Sequence, residues 1–257
     1  MIDNIINIAK KCGAIIKSAH ASDIEIKKEN PKNLVTEYDT KVQNILNEEL
    51  LKILPDASFL GEEGAQNYSK HGYCFVCDPI DGTTNFVKNV RHSAVSIALL
   101  KDGVPILGVI YDPYLDEVYY AQKGKGAFCN GNQICTSTEP LSNSLIVFGT
   151  SPYNKTLQTK TWKLAAKSLE HSLDVRRMGA AVLDFAAVAC GTYGAYWELE
   201  LQPWDFAAGV LIAREAGAIV KTIEGEDIAS FFEPTSILVT ANSICLYDFV
   251  EHIYKKI

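Results

Sequence analysis

The feature that most constrains this chain is the ten-residue run from Cys77 to Phe86, with the sequence CDPIDGTTNF. The apolar residues 73–77 lead into it and predict a short buried strand. Pro79 fixes its own φ angle and biases Asp78 towards an extended conformation, so the chain cannot continue as a regular helix. The Gly-Thr-Thr sequence that follows indicates the start of a short helix. The run therefore predicts a strand, a turn and a helix start in immediate succession.

Two carboxylates in this run can converge on one point. Asp78 and Asp81 are three residues apart, with the carbonyl of Ile80 between them, and such hard oxygen ligands suit Mg²⁺. Gly82 allows the backbone to approach a ligand closely, and the amides of residues 82–84 would favour an anion. The run thus predicts metal ligands beside a phosphate-binding backbone, and an ordinary strand end with a helix cap is the alternative.

The composition is that of an ordinary globular protein. The chain has 257 residues, of which 47% are hydrophobic and 21% charged, enough for one large domain or two small ones. A net charge of −7 argues against a nucleic-acid-binding surface. No apolar run is long enough to span a membrane, and residues 1–19 do not resemble a secretory signal. Together with seven cysteines, this predicts reduced thiols in a cytoplasmic protein.

Apolar periodicity predicts helices and strands along the whole chain. The predicted helices cover 2–20, 39–54, 160–171, 180–190, 203–216 and 243–256. The predicted strands after the first run cover 93–100, 104–111, 117–122, 145–150, 193–199, 218–220 and 237–240, with an edge strand before it at 23–28. The polar segment 136–144 marks a boundary, which divides the chain into an N-terminal subdomain, 1–138, and a C-terminal subdomain, 139–257. These elements predict an α+β or layered α/β fold.

The run from Asp78 to Phe86 resembles the signature of the inositol monophosphatase family, which are Mg²⁺-dependent sugar-phosphate phosphatases. A second motif of the same family, Trp-Asp-x-Ala-Ala-Gly, stands at residues 204–209. The resemblance extends from Ile15 to about Ala241. It implies the sugar-phosphatase fold, a five-layered αβαβα sandwich, with the active site between the two subdomains.

The resemblance assigns a role to each carboxylate near these motifs. The implied ligands of two or three Mg²⁺ ions are Glu62, Asp78, Ile80 through its carbonyl, Asp81 and Asp205. Glu63 would support this site from behind, and the phosphate would bind the amides of Gly82, Thr83 and Thr84. Without the resemblance, residues 61–64 would be a solvated turn, and the carboxylate at position 205 would be a helix-start residue.

Asp39 has two explanations. Its spacing from Thr36 is that of a capping box, which by itself accounts for a carboxylate at a helix start. The resemblance instead implies that Asp39 accepts a hydrogen bond from Thr83, which takes a proton from the attacking water in a general-base relay. The implied catalytic residues are therefore Asp39, Thr83 and Glu62.

The resemblance also implies a set of substrate contacts. These are Asp81, Gly179, Ala180, Ala181, Glu198 and Asp205. Close packing of small residues is the alternative explanation of positions 179–181. Family members that act on inositol phosphates have a glutamate at the place of Glu198, which favours a polyol phosphate.

The resemblance implies hydrolysis of inositol monophosphate by a phosphoric monoester hydrolase that is inhibited by lithium. A homodimer is also implied, with a small phosphate ester as the substrate and no nucleic acid or membrane as a partner. Fructose 1,6-bisphosphate and a 3′-phosphoadenosine nucleotide remain open as substrates. A regulatory binding protein that retains the phosphatase fold remains open as a different class of function.

Overall fold

A computed structural model describes residues 1–19, 26–30, 33–64 and 68–257, with the backbone alone for 26–30 and 33–35. Its α-helices are α1 (Ile2–Ser18), α2 (Glu37–Ile53), α3 (Thr83–Val87), α4 (Gln158–Glu170), α5 (Ala181–Ala189), α6 (Pro203–Glu215) and α7 (Ser243–Asp248). The strands are β1 (Ile26–Asn30), β2 (Asn33–Thr36), β3 (Ser58–Gly61), β4 (Tyr73–Asp81), β5 (Ala94–Lys101), β6 (Val104–Asp112), β7 (Glu117–Gln122), β8 (Ala127–Cys129), β9 (Asn132–Ile134), β10 (Leu145–Phe148), β11 (Asp174–Arg176), β12 (Ala195–Leu201), β13 (Ile219–Lys221) and β14 (Thr235–Thr240). Within these described ranges, no helix is both long enough and apolar enough to cross a membrane.

The strands form two large sheets and a small ribbon of β1 and β2. The first sheet has seven strands in the order β3-β4-β5-β6-β7-β8-β9, antiparallel throughout except for the parallel pair β3 and β4. The second has five strands in the order β11-β10-β12-β14-β13, in which β10 runs parallel to both of its neighbours. All strands of the first sheet precede those of the second in the chain.

The helices fill three layers around these two sheets. Strand β4 shows why, since its successive side chains point to opposite faces and both faces are buried. Phe75 and Cys77 belong to a core with α1 and α2, whereas Cys74 and Val76 belong to a core with α5 and α6. Helices α5 and α6 also pack on the five-stranded sheet, whose other face carries α4 and α7. The predicted five-layered αβαβα arrangement is confirmed.

Strand β4 is longer than the predicted 73–77, because it continues to Asp81. Its pairing with β5 shifts register between Asp78 and Asp81. Pro79 lies in this interval, and since proline has no N–H to donate to the ladder, it is tolerated in a strand only at an edge or a bulge. The bulge carries two carboxylates to the very end of the strand, just before α3 begins.

The predicted helix over 243–256 is wrong in its second half. Helix α7 ends at Asp248, and a π-helical turn, Phe249–Ile253, and a 3₁₀ turn, Tyr254–Lys256, follow it. Cys245, Phe249 and Ile253 are fully buried and recur every four residues. This spacing exceeds the 3.6 residues of an α-helical turn, and the wider π turn keeps the apolar side chains on one face. Residues 23–25 of the predicted edge strand 23–28 lie outside the described residues. The rest of it belongs to β1, which begins at Ile26.

Candidate active site

Asp78, Asp81 and Asp205 form a carboxylate cluster between the end of β4 and the start of α6. One carboxylate oxygen from each lies within 4.8 Å of the other two. Asp78 and Asp81 are buried, and Asp205 is half-buried. Asp205 sits in the first turn of α6, which begins with Pro203, and it accepts a hydrogen bond from the Gln202 amide at 2.9 Å. The fold therefore brings together carboxylates from two distant motifs, as the sequence predicted.

The start of α5 fixes the orientation of Asp81. Its Oδ2 accepts a hydrogen bond from the Val182 amide at 2.8 Å. Asn85, in the same run as Asp81, donates from Nδ2 to the carbonyl of Met178 at 2.9 Å and to that of Gly179 at 3.3 Å. These contacts hold the first motif against residues 178–182, so the backbone of the predicted substrate-contacting segment faces the carboxylate cluster.

Burial and mutual repulsion raise the pKa values of the cluster carboxyls. Burial, followed by the charges of Glu62 and Asp81, raises the pKa of Asp78 well above its usual range. Burial also raises the pKa of Asp81 to about 7, although the Val182 amide acts in the opposite direction. Removal from solvent and the charge of Asp81 raise the pKa of Asp205. Carboxylates this close can all be ionised at neutral pH only when a cation lies among them.

Glu62 reaches the same pocket from the neighbouring strand. It follows β3, and because β3 and β4 are parallel, their carboxyl ends meet at one edge of the sheet. Removal from solvent and then the charge of Asp205 raise the pKa of Glu62. Glu62 is not one of the three residues whose oxygens lie within 4.8 Å of one another, so it stands at the rim of the carboxylate cluster.

The cluster opens into a pocket of about 160 Å³. The predicted site residues that line it are Glu62, Asp78, Ile80, Asp81, Gly82, Thr83, Thr84, Gly179, Ala180, Ala181, Glu198 and Asp205. Two predicted residues are not part of this lining. Glu63 lines a neighbouring groove, and Asp39 lies behind Thr83.

Asp39 forms the predicted capping box with one oxygen and contacts Thr83 with the other. Asp39 is fully buried, and its Oδ2 accepts a hydrogen bond from the Thr36 amide at 2.7 Å, which completes the predicted capping box. Its Oδ1 lies 3.3 Å from the Thr83 hydroxyl. The same hydroxyl lies 3.0 Å from the carbonyl oxygen of Ile80. Since a hydroxyl has one proton, Thr83 donates to one of these acceptors at a time.

Glu198 lines the same pocket, and hydrogen bonds hold both of its carboxylate oxygens. Its Oε1 accepts a hydrogen bond from the Ser151 amide at 2.7 Å, and its Oε2 accepts one from the Tyr196 hydroxyl at 2.9 Å. Ser151 adopts a left-handed conformation with φ of 40°, which is uncommon for a residue other than glycine. A Cβ at Gly149 would lie 1.8 Å from the Glu198 carboxylate. Gly149 thus leaves the space that the Glu198 carboxylate occupies, and Ser151 donates a hydrogen bond to it from a strained backbone conformation.

Among the lining residues that the sequence reasoning did not single out are Asp184, Arg177 and Tyr153. Asp184 is only 3% exposed, and its carboxylate accepts no hydrogen bond from any residue that the structure describes. Arg177 is the one cation among the described lining residues, and it donates to the Thr150 hydroxyl at 3.2 Å. Tyr153 stands at the mouth of the pocket. The available signal for Asp184 was a carboxylate inside the otherwise apolar helix α5.

A sequence model of the inositol monophosphatase family matches residues 1–256. The chain belongs to the inositol monophosphatase family. Membership of this family makes the protein a phosphatase, that is, a phosphoric monoester hydrolase, and the predicted family resemblance is confirmed.

Relatives in the inositol monophosphatase family match nearly the whole chain. Inositol-1-monophosphatase from Bacillus subtilis is 35% identical over 260 residues, which cover 97% of this chain and 96% of the relative. Nus factor SuhB from Escherichia coli strain K12 is 34% identical over 229 residues, which cover 88% and 86%. The crystal structure of extragenic suppressor protein suhB from Bartonella henselae superposes with a TM-score of 0.90 at 31% identity, over 99% of this chain and 98% of that one.

The carboxylate cluster has the chemistry of a divalent cation site. Its donors are hard carboxylate oxygens from three different side chains, within 4.8 Å of one another. The only cation in the described lining, Arg177, donates instead to the Thr150 hydroxyl. This donor set fits the Mg²⁺ on which the inositol monophosphatase family generally depends.

Proposed function

We propose that this phosphatase hydrolyses the phosphate monoester of a polyol, most specifically inositol monophosphate, in a Mg²⁺-dependent reaction. The observation that carries the proposal is that one pocket holds two kinds of carboxylate. Asp78, Asp81 and Asp205 form the cluster, and Glu198 lines the same pocket with both of its oxygens held by hydrogen bonds. The cluster suits a metal and a phosphate, and Glu198 suits the hydroxyl groups of the leaving alcohol.

The proposed ligands of two or three Mg²⁺ ions are Asp78, Asp81, Asp205, Glu62 and the carbonyl of Ile80. When bound, Mg²⁺ supplies a Lewis acid that polarises the phosphoryl group, lowers the pKa of the attacking water and stabilises the leaving alkoxide. The chain itself orients these donors, through the Val182 amide on Asp81 and the Gln202 amide on Asp205.

The backbone of Gly82, Thr83 and Thr84 is the proposed contact for the phosphoryl oxygens. Gly82 has φ of 84°, and a Cβ there would lie 3.0 Å from the carbonyl oxygen of His92, so the position requires glycine. The segment lines the pocket directly beside the cluster. Amides held in place in this way stabilise charge that shifts onto phosphoryl oxygens in the transition state.

Thr83 and Asp39 form the proposed proton relay. The Thr83 hydroxyl can accept a proton from the attacking water while it passes its own proton to Oδ1 of Asp39, 3.3 Å away. Burial raises the pKa of Asp39, although the hydrogen bonds from Thr36 oppose this shift. A raised pKa makes a carboxylate a better proton acceptor, and the capping box keeps its free oxygen turned towards Thr83.

The acidic residues outside the carboxylate cluster favour a polyol monophosphate. Glu198, Asp184 and Glu200 line the pocket, with Arg177 as the one cation in the described lining. Carboxylates accept hydrogen bonds from hydroxyl groups, whereas a second phosphate there would be repelled. This argues against fructose 1,6-bisphosphate and a 3′-phosphoadenosine nucleotide as substrates. The similarity to a protein named inositol-1-monophosphatase supports the same choice.

The test is phosphate release from inositol 1-phosphate, fructose 1,6-bisphosphate and 3′-phosphoadenosine 5′-phosphate, each with and without Mg²⁺. We expect Mg²⁺-dependent release chiefly from the inositol ester. Release chiefly from another ester would refute the substrate and retain the chemistry. If no ester is hydrolysed at any Mg²⁺ concentration, the proposed reaction is wrong.

A binding role beside catalysis is the second candidate, because the chain is also similar to Nus factor SuhB. A strain that lacks the gene can be complemented with the wild type or with the inactive variant Asp81→Asn. Rescue of growth by both would establish a role that does not need catalysis. Rescue by the wild type alone would attribute the phenotype to the phosphatase activity.

Several properties implied by the family resemblance stay predictions. They are inhibition by Li⁺, a homodimer in solution, a cytoplasmic location, the absence of nucleic-acid and membrane partners, and the division into subdomains 1–138 and 139–257. Light scattering after size-exclusion chromatography measures the oligomeric state directly.

A further inference from the structure

Gln43 on α2 holds the turn that follows β3 through both ends of its side-chain amide. Its Oε1 accepts a hydrogen bond from the Glu63 amide at 2.8 Å, and its Nε2 donates to the Glu63 carbonyl. The N–H of Glu63 belongs to the peptide bond that joins it to Glu62. Gln43 therefore fixes the orientation of the backbone on the carboxyl side of Glu62, much as a neighbouring strand would.

The contact explains why residue 61 is glycine. A Cβ at Gly61 would lie 2.3 Å from Oε1 of Gln43 and 2.6 Å from its Cδ. Gly61 is not among the residues with a positive φ, so its backbone conformation does not call for glycine. The requirement comes chiefly from the Gln43 amide, which occupies the space of the missing side chain, and the Phe59 ring, 2.8 Å from an added Cβ, adds to it. Gly61 and Gln43 thus form a matched pair across the groove between α2 and β3.

Helix α2 also carries the relay carboxylate. Asp39 precedes Gln43 by four residues, and residues at this spacing lie on the same face of a helix. Val42 and Leu46 anchor the helix in the core, where both are fully buried. The same helix therefore sets the position of Asp39 behind Thr83 and the position of the Glu62 turn.

We propose that Gln43 is a positioning residue that fixes the turn so that the Glu62 carboxylate faces the carboxylate cluster before a cation binds. This inference rests on the proposed Mg²⁺-dependent function. Gln43 is absent from the described lining of the pocket, so it acts through Glu62 and has no contact with the substrate. Without it, the turn loses these two hydrogen bonds and more of its ordering takes place when the ion binds, and this cost appears as weaker Mg²⁺ affinity.

The test measures Mg²⁺ binding by calorimetry for the wild type and for Gln43→Ala. Two hydrogen bonds with a modest net value are lost, so we expect binding roughly tenfold weaker, with an unchanged melting temperature in EDTA to within a few degrees. Asn47→Ala is the matched control, since Asn47 is exposed, lies one turn further along α2 and lines the same groove. It should bind Mg²⁺ as the wild type does.

Hydrogen exchange in the metal-free protein gives a second readout. The Glu63 amide should lose protection in Gln43→Ala and keep it in Asn47→Ala. Gly61→Ala, which displaces the same side chain, should reproduce both effects of Gln43→Ala. This second variant keeps the test decisive if Gln43→Ala fails to fold.

A double-mutant cycle with Glu62→Gln establishes whether the effect passes through Glu62. In that background Gln43→Ala should weaken Mg²⁺ binding no further. An equal weakening in both backgrounds would overturn the proposal, and so would wild-type binding by Gln43→Ala. A wild type that binds no Mg²⁺ would instead refute the proposed function itself, and the role of Gln43 with it.

Discussion

Replacing Gly149 by alanine should drive the Glu198 carboxylate out of the pocket and leave the carboxylate cluster intact. The added Cβ would lie 1.8 Å from Oε2 of Glu198 and 2.1 Å from its Cδ, where real Cβ atoms essentially never come within 3.0 Å. The side chain is 7% exposed and is tied at one oxygen to the Ser151 amide and at the other to the Tyr196 hydroxyl. It cannot move aside without breaking at least one of these hydrogen bonds.

The magnitude follows from what Glu198 loses. A hydrogen bond to a charged group contributes roughly 1.5–3 kcal/mol, so breaking one or both should lower the free energy of unfolding by about 1.5–6 kcal/mol. If the carboxylate no longer accepts one hydrogen bond from a substrate hydroxyl, a loss of about 1.5–3 kcal/mol corresponds to roughly a 10- to 150-fold decrease in kcat/KM. The three aspartates are on other elements, so the Mg²⁺ requirement should stay unchanged.

The assay compares kcat/KM of the wild type and Gly149→Ala on inositol 1-phosphate and on glycerol 2-phosphate, whose leaving group offers fewer hydroxyls. The decrease should be much larger for the inositol ester. In the double variant with Glu198→Ala, the truncated side chain leaves room for the new Cβ, so part of the lost unfolding free energy should return. If Gly149→Ala keeps the wild-type ratio between the two esters, Glu198 does not recognise the substrate from this position.

Four further outcomes are expected. Asp81→Asn should abolish Mg²⁺-dependent phosphate release with an unchanged circular dichroism spectrum, and residual turnover would contradict the metal assignment. Thr83→Ala should lower kcat more than it weakens Mg²⁺ binding, and a change in the Mg²⁺ requirement alone would rule out the relay. Asp184→Asn should raise KM for inositol 1-phosphate several-fold and leave glycerol 2-phosphate turnover within about twofold, which steady-state kinetics can check. In EDTA, the melting temperature should fall between about pH 4 and pH 7 and stay level when Mg²⁺ is added. The reason is that the folded state, in which the pKa of Asp81 is about 7, binds this proton more tightly than the unfolded state does. The stabilisation from protonated Asp81 is therefore complete at low pH and is lost as the pH rises through about 7. A melting temperature that stays level with pH in EDTA would contradict this explanation.

The parts of the site that the sequence predicts are those governed by local rules. Pro79 and Gly82 act on their immediate neighbours, so the strand, turn and helix start around Asp78 and Asp81 were foreseeable from ten residues. The start of α6 follows in the same way from Pro203 at its first position. The family resemblance then connected the first motif with Asp205, which no local rule does.

The parts that could not be predicted depend on contacts between distant residues. In the sequence, Gly61 and Gly149 look like ordinary turn glycines. In the structure, glycine is required at position 61 because Gln43 occupies the adjacent space, and at position 149 because Glu198 does. These partners are 18 and 49 residues away along the chain, beyond the reach of any periodicity. The end of strand β4 at Asp81 was missed for a related reason. Pro79 predicts that the strand stops before it, but pairing with β5 resumes at Asp81 after the bulge.

Hydrogen bonds from the chain, and not residue type, distinguish Glu198 from the three aspartates of the carboxylate cluster. Asp78, Asp81 and Asp205 accept hydrogen bonds from backbone amides at one carboxylate oxygen each, from Ile80, Val182 and Gln202, and these contacts leave acceptor positions for a cation. Glu198 accepts hydrogen bonds from Ser151 and Tyr196 at both oxygens. Burial raises the pKa of Glu198, and these hydrogen bonds and the charge of Arg177 oppose the shift. Glu198 is therefore oriented by the chain itself, whereas the three aspartates keep acceptor positions for a cation. A dianionic phosphate that enters before the metal would meet the acidic groups of Asp78, Asp81 and Asp205 with no cation among them to attract it, so Mg²⁺ has to bind before the ester or together with it. Calorimetry in EDTA should accordingly detect no binding of inositol 1-phosphate, and tight binding there would show that the chain holds the phosphate without the metal.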